Sequence, residues 1–251
     1  MSDLTAEVKE FVLDQGAHLV GIAPVGRFEG APKGSHPCEL LEGAQSVIVY
    51  AIRFFRSALE CDRFESELMG EGDLWAAHED FFYGFMYDTV NRMLQMVGIQ
   101  TTHLLSSRGY KSLPLKSTGD AHFLSHRHAA VLAGLGEIGL NNLLITPEYG
   151  PRVRLNSVIT TAALTPDPLL EEQLCLGEDE CGLCLKAERC FREIEEWNVG
   201  GKTMKVARMP GHGSSCEVDK GSGLCRKHNP DGRLPYVRYC WGVCPIGRNQ
   251  D

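Results

Sequence analysis

Eight of the chain's ten cysteines fall between Cys175 and Cys244. Two stand as Cys181-x2-Cys184, and Cys190 follows. Cys216, Cys225 and the run Cys240-x3-Cys244-Pro245 lie further on. A C-x2-C pair sets two thiolates on one metal centre from a single turn, with backbone N–H groups aimed at the sulfurs. Pro245 cannot continue a helix or strand, so it turns the chain away from such a centre. Thiols in a reducing compartment do not persist as disulfides, so metal or redox chemistry is the stronger reading. One zinc ion takes four ligands, whereas eight thiolates match two four-iron clusters. Cys38 and Cys61 stand apart from this group and read as plain small residues.

The Cys-Pro ending is a feature of bacterial ferredoxin runs, where the pattern is C-x2-C-x2-C-x3-C-P. This chain departs from it. Ala187 stands at the third cysteine of the first run, and Cys190 is one residue short of the fourth. Leu234 and Val237 stand where the second run would begin. The expected ligands of one 4Fe–4S cluster are Cys181, Cys184, Cys190 and Cys244. Cys216, Cys225 and Cys240 are available to a second, with Cys175 as its weak fourth. A zinc-stapled binding protein without a redox role is the competing reading.

These residues need elements to hold them, and two regions emerge. In residues 1–165 helical and strand signals alternate. Val8, Phe11 and Val12 follow helical spacing, with Gly16 able to end the helix. "HLVGIA" (18–23) and the β-branched "SVIVYAI" (46–52) read as buried strands. The stretch 77–97 suits a helix ended by Gly98, "IQTTHLL" (99–105) a third strand, "HRHAAVLAG" a helix and "RVRLNSVITTA" (152–162) a strand. Strands separated by helices predict an α/β (α+β) layer architecture. Residues 166–251 differ. "GHGSSCEVDKGSGLCRKHNPDGRLPY" (211–236) has almost no core-forming residues. Such a segment cannot order itself by burial and needs a staple, which a metal centre supplies.

The net charge of −8 disfavours a nucleic-acid partner without a local basic patch. No run approaches 18 apolar residues, and "MSDLTAEVKEFVLDQG" lacks the layout of a secretory signal. A cytoplasmic protein without a membrane span is expected.

Gly134-Leu135-Gly136-Glu137-Ile138-Gly139 matches the dinucleotide pattern G-x-G-x-x-G. Its context does not. That motif needs a strand before it and an acidic residue about 20 positions after it. Here "SHRHAAVLA" precedes it and "SVITTAAL" follows at that distance. The glycines are expected to serve tight turns and close packing instead. "GGKT" (200–203) is no P-loop either, since Glu196 occupies the required glycine position.

"AGLGEIGLNNLLITPEYGPRVRLNSVIT", followed by a cysteine-rich tail ending in Cys-Pro, resembles the epoxyqueuosine reductases and the related reductive dehalogenases. "GAHLVGIAP" and "LEGAQSVIVYAI" resemble the first two strands of that family. The resemblance covers nearly the whole chain. It implies a corrinoid-binding domain of flavin-reductase or nitroreductase type over residues 1–165. A ferredoxin-like domain with two 4Fe–4S clusters over 166–251 is implied too. Electrons would pass through the clusters to cobalamin and on to a small organic substrate, from a donor such as a ferredoxin or flavodoxin. The resemblance places Asp120 as proton donor at the corrinoid face, although the family's Asp-Ser-x-Pro is Asp120-Ala121-His122-Phe123 here. A partly buried carboxyl can keep a proton near neutral pH. Asp120 could equally serve as a helix N-cap, and His122, His126 and His128 are further proton-donor candidates. The chain reads as a short form without the family's C-terminal helical-repeat domain, so tRNA is not the expected substrate. The alternative role is an electron carrier for a partner corrinoid protein.

Overall fold

The computed structural model describes residues 3–55, 86–117, 123–187, 193–208 and 243–247. Its centre is a four-stranded sheet of order β1-β2-β6-β3. These strands are β1 (Leu19–Pro24), β2 (Ser46–Arg53), β3 (Ser112–Pro114) and β6 (Val153–Thr160). All its pairings are antiparallel, with β2 and β6 in register from Ser46↔Thr160 to Arg53↔Val153. The mixed α/β architecture expected from the alternating signals is present. The near-continuous apolar run of β2 has a plain cause: both faces of the sheet are covered.

One face carries Ile48, Tyr50, Ile52 and Val158, packed against helices α1 (Leu4–Asp14) and α3 (Asp88–Ser107). A short helix, α2 (Pro37–Leu40), precedes β2. The other face carries Val47, Val49, Ala51 and Ile159 beneath α4 (His126–Leu132). Helix α1 begins on Asp3, whose side chain accepts the Thr5 N–H at 3.0 Å, and Gly16 leaves it at φ +99°. The sequence reading is correct for α1, β1, β2, α4 and β6.

It fails at 99–105. This stretch is not a strand but the second half of α3, which runs straight through Gly98. Gly98 is there for contact, not for ending a helix. A Cβ on it would lie 2.6 Å from the hydroxyl of Tyr50, a fully buried side chain that donates to the Leu94 carbonyl at 2.9 Å. An exposed helical Gly→Ala change gains about 1 kcal/mol from propensity. In Gly98→Ala overpacking of about 1–3 kcal/mol outweighs that gain. Urea unfolding should therefore show net destabilisation.

Residues 166–208 do more than carry cysteines. Asp167 accepts the Ile22 N–H at 2.8 Å and pairs with Lys9 at 2.6 Å. A hairpin of β7 (Glu193–Val199) and β8 (Lys202–Arg208) places Val199, Met204 and Val206 in the α4-side core. Its two-residue turn, Gly200-Gly201, has φ of +62° and +83°, the signs a type I′ hairpin turn requires. "GGKT" is therefore the tip of a hairpin.

Candidate metal centre

The glycine block begins where α4 stops. The Gly134 N–H bonds to the Val131 carbonyl at 3.0 Å and the Leu135 N–H to Ala130 at 2.9 Å. With Gly134 at φ +75° this is a Schellman ending. A Cβ on Gly134 would lie 2.0 Å from the Pro168 carbonyl oxygen, and one on Gly136 would lie 2.1 Å from that of Ile145. The expected role in turns and close packing is what these glycines have. They bring β4 (Glu137–Ile138) onto β5 (Leu144–Ile145) as a small antiparallel ladder.

Beyond that ladder lies a cavity lined by Leu140, Ile145, Leu183 and four cysteines: Cys175, Cys181, Cys184 and Cys244. Cys181 reaches it from the residue that ends the short helix α5 (Gly177–Glu180), and Cys184 from α6 (Leu183–Ala187). Cys175 enters from the segment before α5, and its sulfur accepts the Leu140 N–H at 3.3 Å. Cys244 is delivered by Arg152, which donates to the carbonyls of Cys244 at 3.1 Å and Ile246 at 2.5 Å. The "PEYGPRVR" stretch thus holds the Cys-Pro end of the chain in place.

Burial pushes the Cys184 thiol up to about 11, and the neighbouring Cys175, Cys244 and Cys181 add to this. Burial likewise raises Cys244, against the pull of Arg152 and of a backbone N–H at Ile246. Each of these two thiols is thus costly to ionise beside the others, a cost that a bound cation removes. Among the described residues no three His, Cys, Asp or Glu groups meet closely enough to hold a single metal ion.

Three of the four expected first-cluster ligands, Cys181, Cys184 and Cys244, share this cavity. Cys175, given only a marginal place by its spacing, lines it with them. Its signal in the sequence was indirect, because what brings it there is a contact with Glu137 and Leu140 rather than a cysteine run. Cys190, Cys216, Cys225, Cys240, Asp120 and His122 lie outside the described residues.

His126 and His128 are described. His126 lies between the Ser157 hydroxyl, 2.9 Å from Nδ1, and the Lys116 carbonyl, 2.9 Å from Nε2. Nε2 must carry hydrogen to meet a carbonyl, so the neutral ring uses both nitrogens. His128 stacks on Trp197 with centroids 5.4 Å apart. Burial lowers the pKa of both below 6.5. Between the lowered value and 6.5 the unfolded chain binds more protons than the folded one. Stability from these groups is therefore complete above 6.5 and is lost as pH falls through the folded pKa. His126→Gln, which cannot titrate, should flatten the fall in unfolding free energy measured by urea titration from pH 7 to pH 5.

A mixed α/β chain with a thiol-lined cavity is the class that fold and site define. No family model matches the chain. In sequence it is similar to proteins named as reductases. It is 30% identical to the tetrachloroethene reductive dehalogenase of Sulfurospirillum multivorans over 119 residues, 47% of this chain and 22% of that one. It is 31% identical to the epoxyqueuosine reductase of Bacillus anthracis over 155 residues, 61% of this chain and 36% of that one. The chain thus spans little more than a third, or less, of these curated relatives. In fold it is similar to the epoxyqueuosine reductase of Streptococcus thermophilus (TM-score 0.58, 18% identity, 98% of this chain and 66% of that one). It is also similar to a reductive dehalogenase described as B12-dependent (TM-score 0.56, 18% identity, 96% and 31%). The resemblance to both kinds of reductase holds. Among the described residues no helix is long and apolar enough to cross a membrane.

Proposed function

We propose that the chain is an iron–sulfur oxidoreductase in which Cys175, Cys181, Cys184 and Cys244 hold a 4Fe–4S cluster. The observation that carries this reading is the convergence of four thiols, from segments up to 69 residues apart in sequence, on one apolar-walled cavity. The donor set fits: four soft sulfur ligands, an apolar wall and a backbone N–H already directed at one sulfur. A cluster bound there supplies one-electron transfer. The chain's residues hold the four sulfurs against the buried Leu140 and Ile145 and fix Cys244 through Arg152.

Residues 166–251 form the cluster-bearing part on this reading, and 1–165 the part that takes a corrinoid of the cobalamin type. The similarity to a B12-dependent reductive dehalogenase supports the second half. Electrons enter from a ferredoxin or flavodoxin, in the cytoplasm, and the substrate is a small organic molecule rather than tRNA. Asp120 is the proposed proton donor, and Cys190, Cys216, Cys225 and Cys240 are the thiols proposed for the remaining ligand positions.

Anaerobic reconstitution with iron, sulfide and cobalamin tests both halves separately. Brown protein containing iron and acid-labile sulfide, together with a shift in the cobalamin spectrum, is the expected result. Zinc without sulfide overturns the cluster. A cluster without any cobalamin shift overturns the corrinoid half and leaves an electron carrier.

A further inference from the structure

Glu137 is the acidic residue inside the glycine block, and it is 2% exposed. A carboxylate at that depth is costly unless fully paired. Its partners are specific. Oε1 accepts the Leu174 N–H at 2.9 Å and the Cys175 N–H at 2.5 Å, and Oε2 meets Lys202 Nζ at 2.6 Å. Lys202 is the first residue of β8 and also donates to the Glu172 carbonyl. The Leu140 N–H, three residues after Glu137, completes the hold by donating to the Cys175 sulfur at 3.3 Å.

We propose that Glu137, locked by Lys202, is a positioning residue that sets the place and the electrostatic surroundings of Cys175, and so tunes the reduction potential of the metal centre; this rests on the cluster reading above. The placement argues against a purely architectural pair. The turn end of a hairpin and a short strand can be joined by apolar packing at no desolvation cost. Here a charge is spent on two consecutive N–H groups, and the second belongs to a cavity cysteine. A negative group beside a thiolate disfavours adding an electron to the centre. Removing its charge while keeping its acceptor oxygen favours it.

Glu137→Gln retains an oxygen for the two N–H groups, and Lys202, which is partly exposed at 24%, can turn to water. This variant therefore folds and loads. In anaerobically loaded protein its reduction potential, followed by electron paramagnetic resonance of the reduced cluster, should be more positive than in the wild type at unchanged iron content. Glu137→Ala also removes the acceptor. It should lose iron and give the signal of a three-iron centre on exposure to air, a defect that Glu137→Gln does not share. An unchanged potential in fully loaded Glu137→Gln overturns the proposal, whatever Glu137→Ala does. Failure of the wild-type protein to bind iron and sulfide overturns the cluster reading itself, and the tuning role with it.

Discussion

Cys184→Ala is expected, on the cluster reading, to lower the iron and acid-labile sulfide content per chain well below that of the wild type after anaerobic loading. Cys184 stands among the other three cavity thiols closely enough that each of them raises its pKa. No other described side chain in the cavity lining offers a soft ligand in its place. On the cluster reading, loss of one of the four thiolates leaves one iron without its protein ligand and weakens the hold on the centre. Cys38→Ala is the matched comparison. Cys38 is exposed and its sulfur makes only a 3.8 Å contact with the Ala44 carbonyl. Its removal should leave iron, sulfide and colour unchanged. Equal metal content in the two variants would remove Cys184 from the centre.

Gly134→Ala should cost about 3 kcal/mol or more of unfolding free energy. Two causes add. The residue has φ +75°, a conformation costing an L-residue about 1–2 kcal/mol. Its Cβ would lie 2.0 Å from the Pro168 carbonyl oxygen, which is backbone and can yield only if the strap from Ala162 to Leu174 shifts. Gly30→Ala separates the causes. Gly30 has φ +87° but open space around its Cβ, so only the first penalty applies, about 1–2 kcal/mol. Urea unfolding of the two variants should differ by the cost of the clash. Equal losses would mean that Gly134 is retained for its dihedral alone.

The parts of the fold legible in the sequence were those written in long apolar periods. β2 and β6 are buried along most of their length, and α1 repeats its apolar residues at helical spacing. What misled was a local sign with a distant cause. Gly98 reads as a helix end, but its neighbour is Tyr50, 48 residues earlier in the chain. The antiparallel pairing of the sheet is equally non-local, since helices between strands usually imply parallel crossovers. The hairpin was within reach: Gly-Gly at 200–201 between "EIEEWNV" and "KTMKVAR" is a hairpin pattern. In the candidate site, the C-x2-C pair and the Cys-Pro end pointed to three of the cavity thiols by spacing. Cys175 has no such spacing, because a buried carboxylate from another segment places it.

The hold of Arg152 on the carbonyls of Cys244 and Ile246 bridges more than 90 residues of sequence. During synthesis Arg152, just ahead of β6, is made long before the Cys244 it holds. The first three cavity thiols emerge in order, and the site stays open on one side until translation has passed Ile246. The metal centre proposed for this cavity would therefore be a late event in the life of the nascent chain. The order matters for expression. Slow elongation between Cys184 and Cys244 leaves Cys175, Cys181 and Cys184 without the fourth wall of the cavity for longer.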